Sequence, residues 1–259
     1  PATSADSGGY ASLKVEDIQP SDTITTDQQQ RRQRFWELFE KEFVATHRQR
    51  APEAHQSTYE RAWQMMNSDA RQAFDLEEES TSVRDRYGKG RFGQGCLLAR
   101  RLLERNVPFV EVSLGSIQGN AVGWDTHQDN FNLVKGLSAE LDAGWGTLMS
   151  ELDERGLLEE TTLLWMGEFG RTPRINEQGG RDHFPNAWSC VLGGGGIRGG
   201  QVYGETTADG MEVKDQKCDI KDVLATLFTA LGVDPATENI SPERRPIKLA
   251  EGNVLEGLI

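Results

Sequence analysis

Cysteine is scarce, with only Cys96, Cys190 and Cys218 in 259 residues. They are odd in number, far apart and form no Cys-x-x-Cys pair, which argues against a disulfide framework or a thiolate zinc knuckle. No apolar run reaches 18 residues, so nothing in the sequence reads as a membrane-spanning helix. Basic residues are in deficit: 28 Lys and Arg against 41 Asp and Glu give a net charge of −13 and a pI of about 4.8. A nucleic-acid partner is not expected of such a surface, because backbone phosphates require Lys/Arg stripes. Histidine is limited to four positions. No signal peptide is visible in these residues, and residue 1 is Pro.

What is present reads as a globular α/β chain. Residues 1–27 are polar and aperiodic, an irregular leading segment expected on the surface or packed on something upstream. From Gln28 the pattern is helical, and Phe35, Trp36, Leu38, Phe39 and Phe43 predict a core-facing helix. Further helices are predicted over 57–66, 69–78, 95–106, 129–155 and 219–231. Glu77, Glu78 and Glu79 read as a solvated helix end. Strands are predicted at 108–114, 161–166 and 187–192, with a short edge segment at 202–204. The run 161–166 is apolar on both faces, as in a central parallel strand covered by helices. Strand–helix alternation predicts a layered α/β fold in one main domain covering 28–259.

In open α/β sheets ligands sit beyond the carboxyl ends of strands, and three polar clusters fall there. Gly123-Trp124-Asp125-Thr126-His127 places a carboxylate and an imidazole two residues apart, on one side of an extended segment. That pair suits zinc, manganese or iron, or is an ordinary loop ion pair. Gly167-Glu168-Phe169-Gly170-Arg171-Thr172 sets Glu168 just past the apolar strand, where an anion needs a cation or a partner. Arg171 is suited to an oxyanion, or closes a turn with Glu168. Gly180-Arg181-Asp182-His183-Phe184-Pro185-Asn186 adds a second Asp-flanked histidine. Gly88-Lys89-Gly90-Arg91-Phe92-Gly93 matches a dinucleotide glycine pattern in letters but follows a charged segment, so it is set aside.

The runs FGQGCLLARRL (92–102), GWDTHQDNF (123–131), GEFGRTP (167–173), GRDHFP (180–185) and GGGIRGGQVYG (194–204) resemble the domain-of-unknown-function 1501 family, often labelled sulfatase-like. The resemblance runs from about residue 28. It implies an alkaline-phosphatase/sulfatase-like layered α/β fold with a mostly parallel central sheet, incomplete at the amino end. It also implies a divalent metal (zinc, manganese or calcium) and hydrolysis of phosphate or sulfate esters. Asp125, His127, Glu168, Asp182 and His183 look like metal ligands, and Arg171 the clamp on ester oxygens. Thr172 and Asn186 are expected to orient the ligands, and Asp222 matches an Asp of the family's closing helix. Phe169 stands where the superfamily has a histidine, a departure that weakens a second metal position. The nucleophile is expected upstream, so these residues are expected to be the carboxyl-terminal part of a longer protein, incomplete or inactive alone. The competing expectation is a non-catalytic metal-binding or carbohydrate-associated protein on the same scaffold. A small anionic ester or a sulfated or phosphorylated glycan is the expected ligand, and the location implied is periplasmic or otherwise extracytoplasmic.

Overall fold

Thr25 starts the first helix: its hydroxyl accepts from the Gln28 N–H while the Gln28 side chain returns to the Thr25 N–H, a closed capping box. This helix, α1 (Thr26–Thr46), is followed by α2 (Arg50–Asn67), two 3₁₀ turns (Asp69–Phe74 and Leu76–Glu78), α3 (Thr81–Tyr87) and α4 (Arg91–Leu103). The computed structural model describes residues 9–15, 18, 21, 23–47, 50–67, 69–241 and 243–259. They divide into two compact units with the break at Ser113/Leu114, a division that composition does not mark.

In the first unit the core lies between α3, α4 and the 3₁₀ turns, with Leu97, Cys96, Tyr87 and Ala73 fully enclosed. Arg100 and Arg101 are also buried; Arg101 bonds Glu78, Glu79 and the carbonyls of Gln72 and Ala73, while Arg100 pairs with Glu79 and Glu104. Glu78 and Glu79 are thus counter-ions to two buried guanidiniums, not the solvated helix end that the sequence suggests. Burial raises the Glu79 pKa, but the hydrogen bonds and charges of Arg101 and Arg100 outweigh it and hold the carboxyl below its usual range.

Much of the polar leading segment (1–8, 16, 17, 19, 20 and 22) lies outside the described residues. Tyr10 does not float on the surface: it is buried under the Arg84 guanidinium and donates to Asp85 at 2.7 Å. The glycine pattern at 88–93 is the α3–α4 junction. A Cβ on Gly93 would fall 1.8 Å from the Tyr87 carbonyl oxygen, so the glycine is required by helix–helix approach and not by a nucleotide.

The α1 face expected in the core is open instead. No residue of α1 is buried, and Phe35 and Leu38 are 65% and 67% exposed. Trp36 stacks on Tyr59 of α2, so the contact runs along the neighbouring face. Leu97→Ala should therefore lower stability by about 2–5 kcal/mol. Phe35→Ala should change it by less than about 0.5 kcal/mol. Urea unfolding midpoints of the two variants check this.

The second unit is built on the long helix α5 (Asn130–Glu154), whose Leu137, Leu148 and Leu152 are buried. Strand β1 (Thr162–Trp165) follows, then β2 (Gly170–Arg171), β3 (His183–Phe184), β4 (Val191–Gly194), β5 (Glu205–Thr206), β6 (Val213–Asp215), α6 (Ile220–Ala230), β7 (Glu238–Ile240) and β8 (Pro246–Lys248). Among the described residues the strands form four two-stranded antiparallel ribbons, β1–β4, β2–β3, β5–β6 and β7–β8. The apolar strand expected to be central and parallel is β1, and its partner β4 runs antiparallel, Thr162 opposite Gly194 and Trp165 opposite Val191. Residues 108–114 and 202–204 are not assigned to strands, and pairing in the expected 187–192 strand begins only at Val191. Alternating apolar residues supply strand propensity, but a strand exists only where a neighbour takes its backbone hydrogen bonds. No helix among the described residues is long and apolar enough to cross a membrane.

Candidate metal centre

The β2–β3 ribbon and the loop before α5 bring the site together. Register sets Arg171 opposite His183, so both side chains start from one rung of the ribbon. The loop before α5 is zipped onto the segment leading to β3. Asn130 N–H donates to the Gly179 carbonyl, Asp129 N–H to Gln178, and Arg181 N–H to the Thr126 carbonyl. Thr126, 1% exposed, donates its hydroxyl to Asn130 Oδ1 at 2.7 Å and locks the loop from within. Gly180 is required by this contact, since a Cβ there would lie 1.9 Å from the His127 carbonyl oxygen.

Three side chains converge on one point. Asp125 Oδ1 lies 2.9 Å from His183 Nε2 and 3.1 Å from His127 Nε2, and the two Nε2 atoms are 3.2 Å apart. One ligand atom from each falls within 4.8 Å of the others. A tetrahedral zinc with bonds of about 2.0–2.1 Å separates its ligand atoms by roughly 3.3 Å, so the triangle is close to one face of such a site. The three side chains are each about half exposed, which leaves the fourth direction open to solvent. Three protein ligands with an open position is the pattern of catalytic zinc.

The surrounding groups hold this triangle. Asp182 Oδ1 bonds His127 Nδ1 at 2.9 Å, behind the ring, and Asn176 Nδ2 donates to the same oxygen at 3.2 Å. Asp182 was expected as a ligand; its carboxylate orients a histidine instead, as the outer carboxylates of metal-bound histidines do. Asp182 is itself fixed by Thr172, whose hydroxyl accepts from the Asp182 N–H and whose own N–H donates to the Asp182 carbonyl. The Phe169 ring lies 4.5 Å from that of His183 and holds its plane. Arg171 Nη1 donates to Asp125 Oδ1 at 2.8 Å. Hydrogen bonding with His183, and then with Arg171, draws the Asp125 pKa down to about 2, so the carboxylate is anionic at neutral pH.

Three expected site residues are elsewhere. Glu168 is outside the three-residue group and, with Asn186, lines a neighbouring cleft; its expected turn-closing pair with Arg171 is replaced by Arg171–Asp125. The chain turns into β2 directly after Glu168, and that places Arg171 and not the glutamate beside Asp125. Asp222 serves α6: Oδ2 accepts the Asp219 N–H at 2.8 Å and Oδ1 the Asn253 N–H at 2.7 Å. These bonds, the first from Asp219, hold its pKa below the usual aspartate range. Asp222→Ala should cost about 1–2 kcal/mol. A depressed folded pKa means this stabilisation is complete above the ordinary carboxylate range, about pH 4, and is lost as pH falls through the lower folded value. Urea midpoints of wild type and D222A between pH 7 and 3 should therefore converge.

Asn176 and Thr126 were not singled out by sequence reasoning, though both are central to the loop contact. Asn176 donates to the His127 carbonyl at 2.9 Å and accepts from the Gln178 and Gly180 N–H groups. An Asn four residues before a Gly-Arg-Asp-His run is a turn signal that could have suggested it.

The model of the family described as "Protein of unknown function (DUF1501)" matches residues 2–259. The chain belongs to that family, and the match reaches further toward the amino end than the motifs alone suggest. No curated protein and no solved structure matches it.

Proposed function

We propose that this protein is a metal-dependent hydrolase of phosphate or sulfate monoesters, with one divalent cation held by Asp125, His127 and His183. The observation that carries the reading is the triangle of Oδ1 and two Nε2 atoms, 2.9–3.2 Å on a side, with a carboxylate behind one imidazole. Two neutral nitrogens and one carboxylate oxygen favour zinc over calcium, which takes six to eight oxygens. A bound cation would supply Lewis-acid polarisation of an ester oxygen. Arg171, beside the triangle and using one nitrogen on Asp125, is placed to bind a non-bridging oxygen with the rest of its fork. Asp182 keeps His127 in the tautomer whose Nε2 lone pair faces the ligand point.

The same reading takes the fold as a layered α/β relative of the alkaline-phosphatase and sulfatase enzymes, with a mostly parallel central sheet. Its support is the position of Asp125 and His127 in the loop that enters α5 and of His183 at the start of β3. The second reading is a non-catalytic metal-binding protein, favoured by Phe169 standing where a further imidazole would widen the donor set. Release of p-nitrophenol from p-nitrophenyl phosphate and sulfate, with zinc, manganese or calcium added to metal-stripped protein, separates the two. Hydrolysis that appears with the metal and disappears in H183A supports the enzyme. A stoichiometric metal with no hydrolysis of either ester supports the binding protein.

A further inference from the structure

Phe169 lies beside His183 and the Arg171 guanidinium. Its ring packs on His183, and it is also a wall of a cleft of about 890 Å³. Trp188 contributes a second aromatic wall, and the polar lining is Glu168, Asn186, Glu212, Lys217, Asp219 and Asp222. Four carboxylates therefore meet one ammonium. Asp222 is occupied with the backbone of α6 and Asn253. Among the described residues, the Glu168 and Glu212 side chains are in no ion pair or hydrogen bond. Size, mixed lining and two aromatic walls are those of a small-ligand site.

The charge of this cleft is opposite to what a polyanionic glycan requires. The anion-handling groups, Arg171 and the proposed cation, lie at the triangle, while the cleft beside Phe169 has net negative charge. We propose that the cleft takes a protonated amine. On the hydrolase reading, the substrate is then an amine-bearing phosphate or sulfate monoester, such as an aminosugar or amino-alcohol ester, with its anionic head at Asp125, His127 and His183. Unpaired Glu168 and Glu212 supply counter-charge for the ammonium, and Phe169 and Trp188 add cation–π attraction. The same carboxylates repel a second anionic group, so singly esterified substrates are preferred over densely sulfated ones.

The test compares ligands that differ by one amine, by calorimetry on the full chain. With zinc present, glucosamine 6-phosphate should bind at least about 10-fold more tightly than glucose 6-phosphate, and glucosamine 6-sulfate than glucose 6-sulfate. Ethanolamine phosphate distinguishes an amino alcohol from an aminosugar by matching or falling below the glucosamine ester. Glu212→Gln should shrink the ratio of glucosamine 6-phosphate to glucose 6-phosphate affinity toward one. In metal-stripped protein, glucosamine against glucose, followed by saturation-transfer NMR, reads the cleft alone. A glucosamine preference without any zinc binding leaves this proposal standing and removes the hydrolase reading. Zinc binding with equal affinities for amine and neutral ligands, or no binding of either amine, overturns it.

Discussion

His183→Ala should reduce zinc affinity by more than about a hundredfold while leaving the unfolding midpoint close to that of wild type. Loss of a carboxylate behind a metal-bound histidine already costs about 10–100-fold, so loss of one of three ligands must exceed it. The His183 side chain is exposed, bonds Asp125 and His127 and packs on the Phe169 ring, so its removal opens no core cavity. Asp182→Asn provides the internal scale. It retains a hydrogen-bond acceptor for His127 Nδ1 but removes the charge, and should fall within the 10–100-fold window. Competition with a chromophoric zinc chelator measures all three proteins. Equal affinities for wild type and H183A would remove His183 from the ligand set.

The second large effect is expected from a residue that touches no metal. Gly180→Ala puts a methyl where the His127 carbonyl oxygen already stands, 1.9 Å from the Cβ position. The obstruction is backbone and cannot rotate away, so the 176–182 segment must separate from the loop before α5. That separation strains the Arg181–Thr126 and Asn176–His127 bonds, and it carries His183 away from Asp125. Overpacking of this kind costs about 1–3 kcal/mol, and zinc affinity should fall by at least tenfold although every ligand is still present. Gly179→Ala, where space is open but φ is +70°, should lower stability through backbone strain with no clash against His127. Measuring urea midpoints and zinc affinity on both variants separates strain from steric separation.

The three residues proposed as ligands stand out in the sequence because polar residues with few roles cluster beside apolar runs. Asp125, His127 and His183 stand out in a chain with four histidines, and the structure brings all three to one point. The roles of their neighbours were not legible. Whether Asp182 faces the metal or the back of His127 depends on how two loops 55 residues apart are aligned. That alignment is set by backbone bonds to the Thr126, Gln178 and Gly179 carbonyls, which no side-chain pattern announces, together with the Asn176 side chain. Glu168 shows the same limit, since the bend between β1 and β2 turns it to the cleft while Arg171 reaches Asp125.

Helices followed their periodicity well where one face is buried, as in α4, α5 and α6. The short α3 has too few apolar residues to show a period and is fixed by Tyr87, Arg84 and the Ser80 cap. The α1 stripe has a helical period and yet is exposed. Periodicity reports that a face is apolar, not what covers it. Strands were the least legible element, because the direction and identity of a partner are non-local.

The most direct test of the central claim is zinc K-edge X-ray absorption on the chain loaded with one equivalent of zinc. Two imidazole nitrogens at about 2.0–2.1 Å, with oxygen in the remaining positions and no sulfur, are the expected result. Scattering from sulfur at about 2.3 Å, which would draw in Cys190 or Cys218, or an oxygen-only shell without imidazole would contradict a site made by Asp125, His127 and His183.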